Sequence, residues 1–303
     1  MAGFFYAIHI QINGVILSMK KKPHPLFIQA LQAFQEGAQE RALQFFLMVL
    51  EVEPKDFDAL HITGVLMAMK DDHKEAINYF VKAIKVNAIN NLAHFNLAKA
   101  LSDSGDDLAA LKYHTNATKL APTHAEAWLN YGKSLSKLSR FEEAIQKYNK
   151  ALQLKPDLME ALSNKGAALT DLGLFADGLA LLNQAIQINP NSAETWSNRG
   201  IVLGKLRCFE EALSSYDQSL KINSNYVVAW LNKGAILAEL KRYEEALNCY
   251  DEAIQLQPNY VDAWSNKAEL LSELKRFDEA LDCYKQAMKI APKLDFLYGQ
   301  YVQ

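Results

Sequence analysis

The sequence predicts an all-α solenoid built from eight helix-turn-helix units. Three observations predict it: a 34-residue internal repeat, apolar spacings of three and four within each repeat, and prolines that recur near its end. Ala42, Ala76, Ala110, Ala144, Ala212, Ala246 and Ala280 keep the period, with Gly178 in the one remaining slot. Aromatics follow four residues later at Phe46, Phe80, Tyr148, Tyr216, Tyr250 and Tyr284, and Pro54, Pro122, Pro156, Pro190, Pro258 and Pro292 close most units. Fixed periodicity of this length marks a repeat architecture. Spacings of three and four residues mark helices, not strands. One short helix pair cannot bury its apolar face alone, but stacked pairs can.

The repeat tiles the chain as 23–56, 57–90, 91–124, 125–158, 159–192, 193–226, 227–260 and 261–294. In 227–260 the first helix is expected over about 228–240. A "KRYEEA" turn follows, and a second helix over about 243–255 is stopped by Pro258. Residues 1–22 form an extension, apolar through "MAGFFYAIHIQINGVILS" and then basic at "MKKK". No charge precedes the apolar run, no small-residue cleavage site follows it, and His9, Gln11 and Asn13 interrupt any span. The leading expectation is that Met19 is the natural start. A packed segment comes next, and a membrane anchor last. Residues 295–303 offer Phe296, Leu297, Tyr298, Tyr301 and Val302, and read as the opening of another packed element.

Composition narrows the function classes. The 303 residues are 50% hydrophobic and 22% charged, with net charge −3. Without an excess of Lys and Arg, nucleic acid is not an expected partner. Cys208, Cys249 and Cys283 show no CxxC spacing, which argues against a disulfide framework or zinc site and for a reducing cytoplasm. No phosphate loop or nucleophile motif is present, so this chain alone is read as no enzyme and as needing no cofactor or metal.

One residue resists a purely structural reading. Six units carry the frame "WLNKG", "WSNRG", "WSNKA", "WLNYG", "LSNKG" or "HFNLA", with asparagine always at unit position 6. Asparagine is a weak helix former because its amide competes for nearby backbone groups. At about 100° per residue, positions 4, 8 and 11 share the packing face, here Trp230, Gly234 and Leu237. Position 6 lies on the far side, in a stripe with positions 2, 9 and 13. Asn232 therefore shares a face with Val228, Ala235 and Glu239. A copied surface residue or a bond to the neighbouring unit would also explain it. A merely solvated position would do better with Glu, Lys or Ala.

The repeat length, with Trp/Leu, Gly/Ala, Ala, Phe/Tyr, Ala and Pro at positions 4, 8, 20, 24, 27 and 32, resembles the tetratricopeptide repeat family over residues 23–294. His94 and His114 fill aromatic slots of the third unit, and Ala88 and Ser224 replace two closing prolines. The resemblance implies a right-handed superhelix whose first helices line a concave groove. It then implies a ladder of Asn96, Asn130, Asn164, Asn198, Asn232 and Asn266 along that groove. A primary amide can donate to a backbone carbonyl and accept from an N–H, whatever the side chains. Helix pairs stack at about 10 Å, roughly three residues of extended chain. The expected partner is thus an extended peptide or protein segment. Such a ladder is similar to that of the O-linked N-acetylglucosamine transferases. The frame "AWLNKG" with "KRYEEAL" and the closing "APKLDFLYGQYVQ" resemble bacterial Spindly-like members. The resemblance implies the substrate-recognition arm of such an enzyme without its catalytic region. A stand-alone scaffold or adaptor is the alternative.

Other groove positions refine this. Position 2 is mostly acidic, as at Glu126, Glu160, Glu194 and Asp262, which disfavours a carboxylate clamp. Lys99, Lys133 and Lys137 lie towards the N-terminal half, and Glu239, Asp262, Glu269 and Glu273 towards the other. This polarity is expected to set the direction of a bound chain. The first two units replace the ladder by Ile28, Leu31, Ile62, Val65 and Met69. An exposed apolar stripe of this kind is expected to be an interface: for the N-terminal segment, for a second copy in a homodimer, or for cap packing. Trp128, Trp196, Trp230 and Trp264 are expected in the core. Cys249 and Cys283 sit about one helix-pair spacing apart, too far for a disulfide.

Overall fold

The computed structural model describes residues 24–292, so the expectations for 1–22 and 295–303 lie outside it. Among the described residues there are sixteen α-helices and no strand. They fall into two compact units divided after Pro156. The first holds α1 (Pro25–Gln35), α2 (Gln39–Val52), α3 (Phe57–Met69), α4 (His73–Val86), α5 (Asn91–Asp103), α6 (Asp107–Leu120), α7 (Ala125–Lys137) and α8 (Phe141–Leu154). The second holds α9 (Met159–Asp171), α10 (Phe175–Ile188), α11 (Ala193–Lys205), α12 (Phe209–Ile222), α13 (Val227–Glu239), α14 (Tyr243–Leu256), α15 (Val261–Glu273) and α16 (Phe277–Ile290). Each unit is a stack of four helix pairs, the solenoid fold the repeat predicts.

The pairing follows from three recurring positions. Position 8 is small because the aromatic at position 24 lies against it. A Cβ on Gly200 would stand 2.5 Å from Tyr216, and one on Gly132 would stand 2.4 Å from Tyr148. Tyr148 and Tyr216 are among the largest fully buried side chains. Position 15 ends every first helix in the left-handed region, as Gly37, Gly105 and Gly173 but also as Asp71, Ser139, Arg207, Lys241 and Lys275. The residue after it then bonds the carbonyl five back, as Arg242 N to Leu237 O at 2.8 Å, which caps the helix and turns the chain.

Position 4 differs from expectation. The tryptophans are half-buried, not core residues. Each indole packs on the core by one side and donates its N–H to the carbonyl six residues back: Trp128 to Pro122, Trp196 to Pro190, Trp230 to Ser224 and Trp264 to Pro258, at 2.8–2.9 Å. An amphipathic ring that must keep a polar atom bonded settles at the margin of a core. His94 makes the same bond to Ala88 O at 2.9 Å, so the histidine substitutes for the indole.

Within each unit, first helices also pack against the first helices of neighbouring pairs: α3 on α5 and α5 on α7, then α9 on α11, α11 on α13 and α13 on α15. Second helices make no comparable contacts with one another. The first helices therefore form the tighter, inner side of each stack.

Candidate functional site

The inner side carries the asparagines. Asn130, Asn164, Asn198, Asn232 and Asn266 are half-buried, and Asn96 is 8% exposed. The stripe with positions 2, 9 and 13 is partly open, as at Val228, Ala235 and Glu239. The amides are already partly used. Asn164 Nδ2 donates to Glu160 O at 2.7 Å and Asn232 Nδ2 to Val228 O at 2.9 Å, each within its own helix. Asn198 Nδ2 reaches Ser163 Oγ of the preceding pair at 3.5 Å. A carbonyl can be met only by the amide nitrogen, so at Asn164 and Asn232 the oxygen is the end left over. One N–H of each of these two amides is thus engaged, leaving the oxygen and the second N–H.

Asn96 departs most from the expected ladder. Its Nδ2 lies 2.9 Å from Nε2 of His61, one pair earlier, and both residues are buried. Burial pushes His61 down to about 4, opposed by a hydrogen bond to the Leu92 backbone. A backbone contact that favours the protonated ring is one to a carbonyl, so the ring donates to Leu92. The nitrogen facing Asn96 is then the acceptor, and Asn96 must present its NH2 group.

The apolar stripe of the first two units is corrected. Leu31, Ile62 and Val65 are 6%, 6% and 4% exposed and belong to a core cluster that also holds Leu66 and Leu97. Close approach of successive first helices encloses them. Ile28 alone is exposed, at 52%, and Met69 is half-buried. The stripe is therefore interior packing between units.

The lysines are unequal. Lys99 pairs with Asp103 at 2.7 Å, and Lys137 with Asp107 at 3.5 Å. Lys133 is exposed, with no ion pair among the described residues. The charges of Lys99 and Lys137 are therefore offset by neighbouring carboxylates. His114 Nε2 lies 3.1 Å from Ser134 Oγ, and its ring stacks on Tyr131.

Two cavities open on the inner side at equivalent repeat positions. One, of about 370 Å³, is lined by Ala68, Met69 and Phe80 of one pair and Asn96, Lys99 and Ala100 of the next. The other, of about 440 Å³, is lined by Ala238, Glu239 and Tyr250, then by Asn266, Glu269 and Glu273. In the second, Glu239 and Glu269 have no ion pair among the described residues, while Glu273 accepts from Tyr243 Oη at 3.2 Å. Burial pushes the Tyr250 phenol up, with Cys249 and Glu269 adding to it. No described helix is long and apolar enough to cross a membrane. Cys208, Cys249 and Cys283 are free thiols.

Comparison with known proteins agrees with this architecture. Family models described as tetratricopeptide repeat match residues 226–293 and 193–226, and one described as TPR repeat matches 132–173. No curated protein sequence matches the chain. Among solved structures, the APC/C hetero-tetramer Cut9–Hcn1 aligns over 88% of this chain with TM-score 0.67 and 16% identity. The chain spans 52% of that protein's length. MamA aligns over 54% of this chain and 95% of its own, at 22% identity and TM-score 0.46. YrrB, described as a TPR protein with an unusual peptide-binding site, aligns over 62% and 97%, at 26% identity and TM-score 0.46. The three matched segments are tetratricopeptide repeats, and the described residues on either side of them continue the same helix-pair fold.

Proposed function

We propose that this chain is a non-catalytic, cytoplasmic protein-interaction module that holds an extended protein segment along its first-helix face. The observation that carries the reading is the state of the asparagines. Asn164 and Asn232 spend one amide N–H each on their own helices and keep the oxygen and a second N–H for a ligand. An extended segment presents backbone N–H groups whatever its sequence, and successive rungs at about 10 Å would meet roughly every third residue. Each bond contributes only about 0.5–1.5 kcal/mol, so affinity accumulates over several rungs. Asn130 and Asn266 belong to the same row, and Lys133 supplies a free cation beside Asn130.

The test is a peptide array probed with the wild type and with Asn164, Asn198, Asn232 and Asn266 changed together to Ala. Loss of most binding is expected. Unchanged binding would sink the ladder. The setting proposed is the substrate-recognition arm of a protein O-glycosyltransferase, supported by the sequence resemblance described above. A scaffold that assembles other proteins is the alternative. Intact mass of the protein from its native source separates them: a much larger product supports the enzyme arm, and about 34.1 kDa supports the scaffold.

A further inference from the structure

The cavity of about 440 Å³ between 227–260 and 261–294 is lined by Glu239 of α13 and by Glu269 and Glu273 of α15. These are repeat position 13 of one pair and positions 9 and 13 of the next. No other junction of the repeat has carboxylates at all three positions. The equivalent cavity in 57–124 has Met69, Lys99 and Asp103 there, and Lys99 pairs with Asp103. Lys241, which is exposed, is the one cation in the acidic lining, so three carboxylates against one ammonium leave two negative charges. Glu239 and Glu269 are exposed and make no ion pair among the described residues.

A buried phenol points the same way. Tyr250 of α14 is 3% exposed and lines this cavity, and its hydroxyl has no hydrogen-bond partner among the described residues. In 125–158 the equivalent Tyr148 hydroxyl meets Ser136 Oγ at 3.0 Å. The residue equivalent to Ser136 is Ala238, which lines the same cavity and brings no polar side-chain atom. The phenol is near enough to Glu269 for that charge to hold its proton more tightly. Its oxygen thus adds an acceptor to those of the carboxylates and of Asn266. Tyr243 already donates to Glu273, and Ala235 and Leu270 supply apolar wall. Such a lining suits a cation on an aliphatic stem.

We propose that this cavity takes an arginine side chain of the bound segment, its guanidinium shared by the Glu239 and Glu269 carboxylates, with Tyr250 Oη as a further acceptor. A guanidinium carries five N–H donors in a rigid fork and no acceptor, which matches acceptors offered from three helices better than the point charge of lysine does. Charge-assisted bonds of this kind are stronger than neutral ones. The proposal rests on the groove reading above. A single blocked residue spans no ladder, so its failure to bind leaves the peptide-array test standing, and loss of the ladder leaves this one standing.

The experiment is an NMR titration of the full chain, labelled at alanine and leucine methyls, with N-acetyl-arginine methylamide. The citrulline analogue, which keeps the shape without the charge, the lysine analogue and calcium chloride serve as comparisons. The arginine probe is expected to move the Ala235, Ala238 and Leu270 methyls in a saturable way, at least threefold tighter than citrulline and tighter than lysine. Glu239→Gln with Glu269→Gln should abolish that advantage, and because both residues are exposed the helical signal should stay intact. Tyr250→Phe keeps the ring against Gly234 and removes only the hydroxyl. It should weaken arginine about threefold without lowering the urea midpoint. Equal shifts from citrulline, or the same shifts from calcium, would overturn recognition of a guanidinium, and equal affinity for lysine would overturn the preference for arginine. Full arginine affinity in Tyr250→Phe would overturn the role of the phenol.

Discussion

Acid should loosen the first compact unit through two buried histidines, and one of them can be isolated. His114 is fully buried between Ser134, 3.1 Å from its Nε2, and the stacked ring of Tyr131. Burial pushes it down to about 4, opposed by the charge of Asp107. Asp107 is in turn engaged by Ser102 and by Lys137. The unfolded value is about 6.5. The folded state thus binds fewer protons between these values. Stability is intact above about pH 6.5 and lost as pH falls towards 4. At about 1.36 kcal/mol per pH unit, going from about pH 7.5 to about pH 5 costs roughly 2 kcal/mol for this histidine. Asp58, pushed up to about 6 by burial and by Asp56, works in the opposite direction over the same range. A wild-type curve alone therefore mixes terms. His114→Tyr removes one term and keeps the rest, and the slot accepts tyrosine beside alanine, because Tyr284 is buried in the unit that has Ala268. Urea unfolding of both proteins at the two pH values is the assay. The wild type should lose about 2 kcal/mol more than His114→Tyr. Equal losses, or a His114 ring that titrates near 6.5 by NMR, would refute the reasoning.

Other perturbations follow from the same repeat geometry. Ser139, Arg207, Lys241 and Lys275 hold φ of 57–62°, so replacing each by glycine should stabilise by about 0.5–1 kcal/mol in chemical denaturation, the strain relieved exceeding the entropy added. Gly200→Val should destabilise by about 3 kcal/mol, because even a Cβ would meet Tyr216 at 2.5 Å and that ring is enclosed. Trp196→Phe removes the 2.8 Å bond to Pro190 O and should lower stability by about 1 kcal/mol, with amide exchange showing the loss nearest the 159–192 and 193–226 junction. Arg242→Ala breaks an exposed pair with Glu245 and should leave the urea midpoint nearly unchanged.

The helix pairs were legible because their determinants repeat. The first helix expected over about 228–240 and the second over about 243–255 appear as Val227–Glu239 and Tyr243–Leu256. The turn between them was less legible. Only three of its eight left-handed positions are glycine; the others, such as Arg207 and Lys275, carry no turn signal of their own and are held there by the capping bond to position 11. The burial of Ile62 and Val65 was missed because helical-wheel angles describe one helix. These residues are enclosed by the neighbouring first helix, a contact outside any single wheel. The His61–Asn96 bond joins residues 35 apart, one repeat plus one position. Its signal was present: position 5 is apolar or serine in every other unit, so a histidine there demanded a partner.

That 35-residue step also explains what the asparagine does for the fold. Position 5 of one pair faces position 6 of the next. Where position 5 offers an acceptor, as His61 or Ser163 does, the amide reaches across to it. Asn164 instead turns back to its own helix at Glu160. Asn232 shows the choice is not forced, since it takes Val228 O while the buried Ser197 Oγ opposite has no partner. In every one of these cases it is the nitrogen that the protein consumes. A glutamate in this slot would bring only acceptors, and a lysine only donors. Asparagine can satisfy a carbonyl or a hydroxyl on the protein with its NH2 and still show an acceptor at its far end. The structural role and the proposed binding role thus draw on one amide, and a repeat that keeps the residue for the first role retains the means for the second.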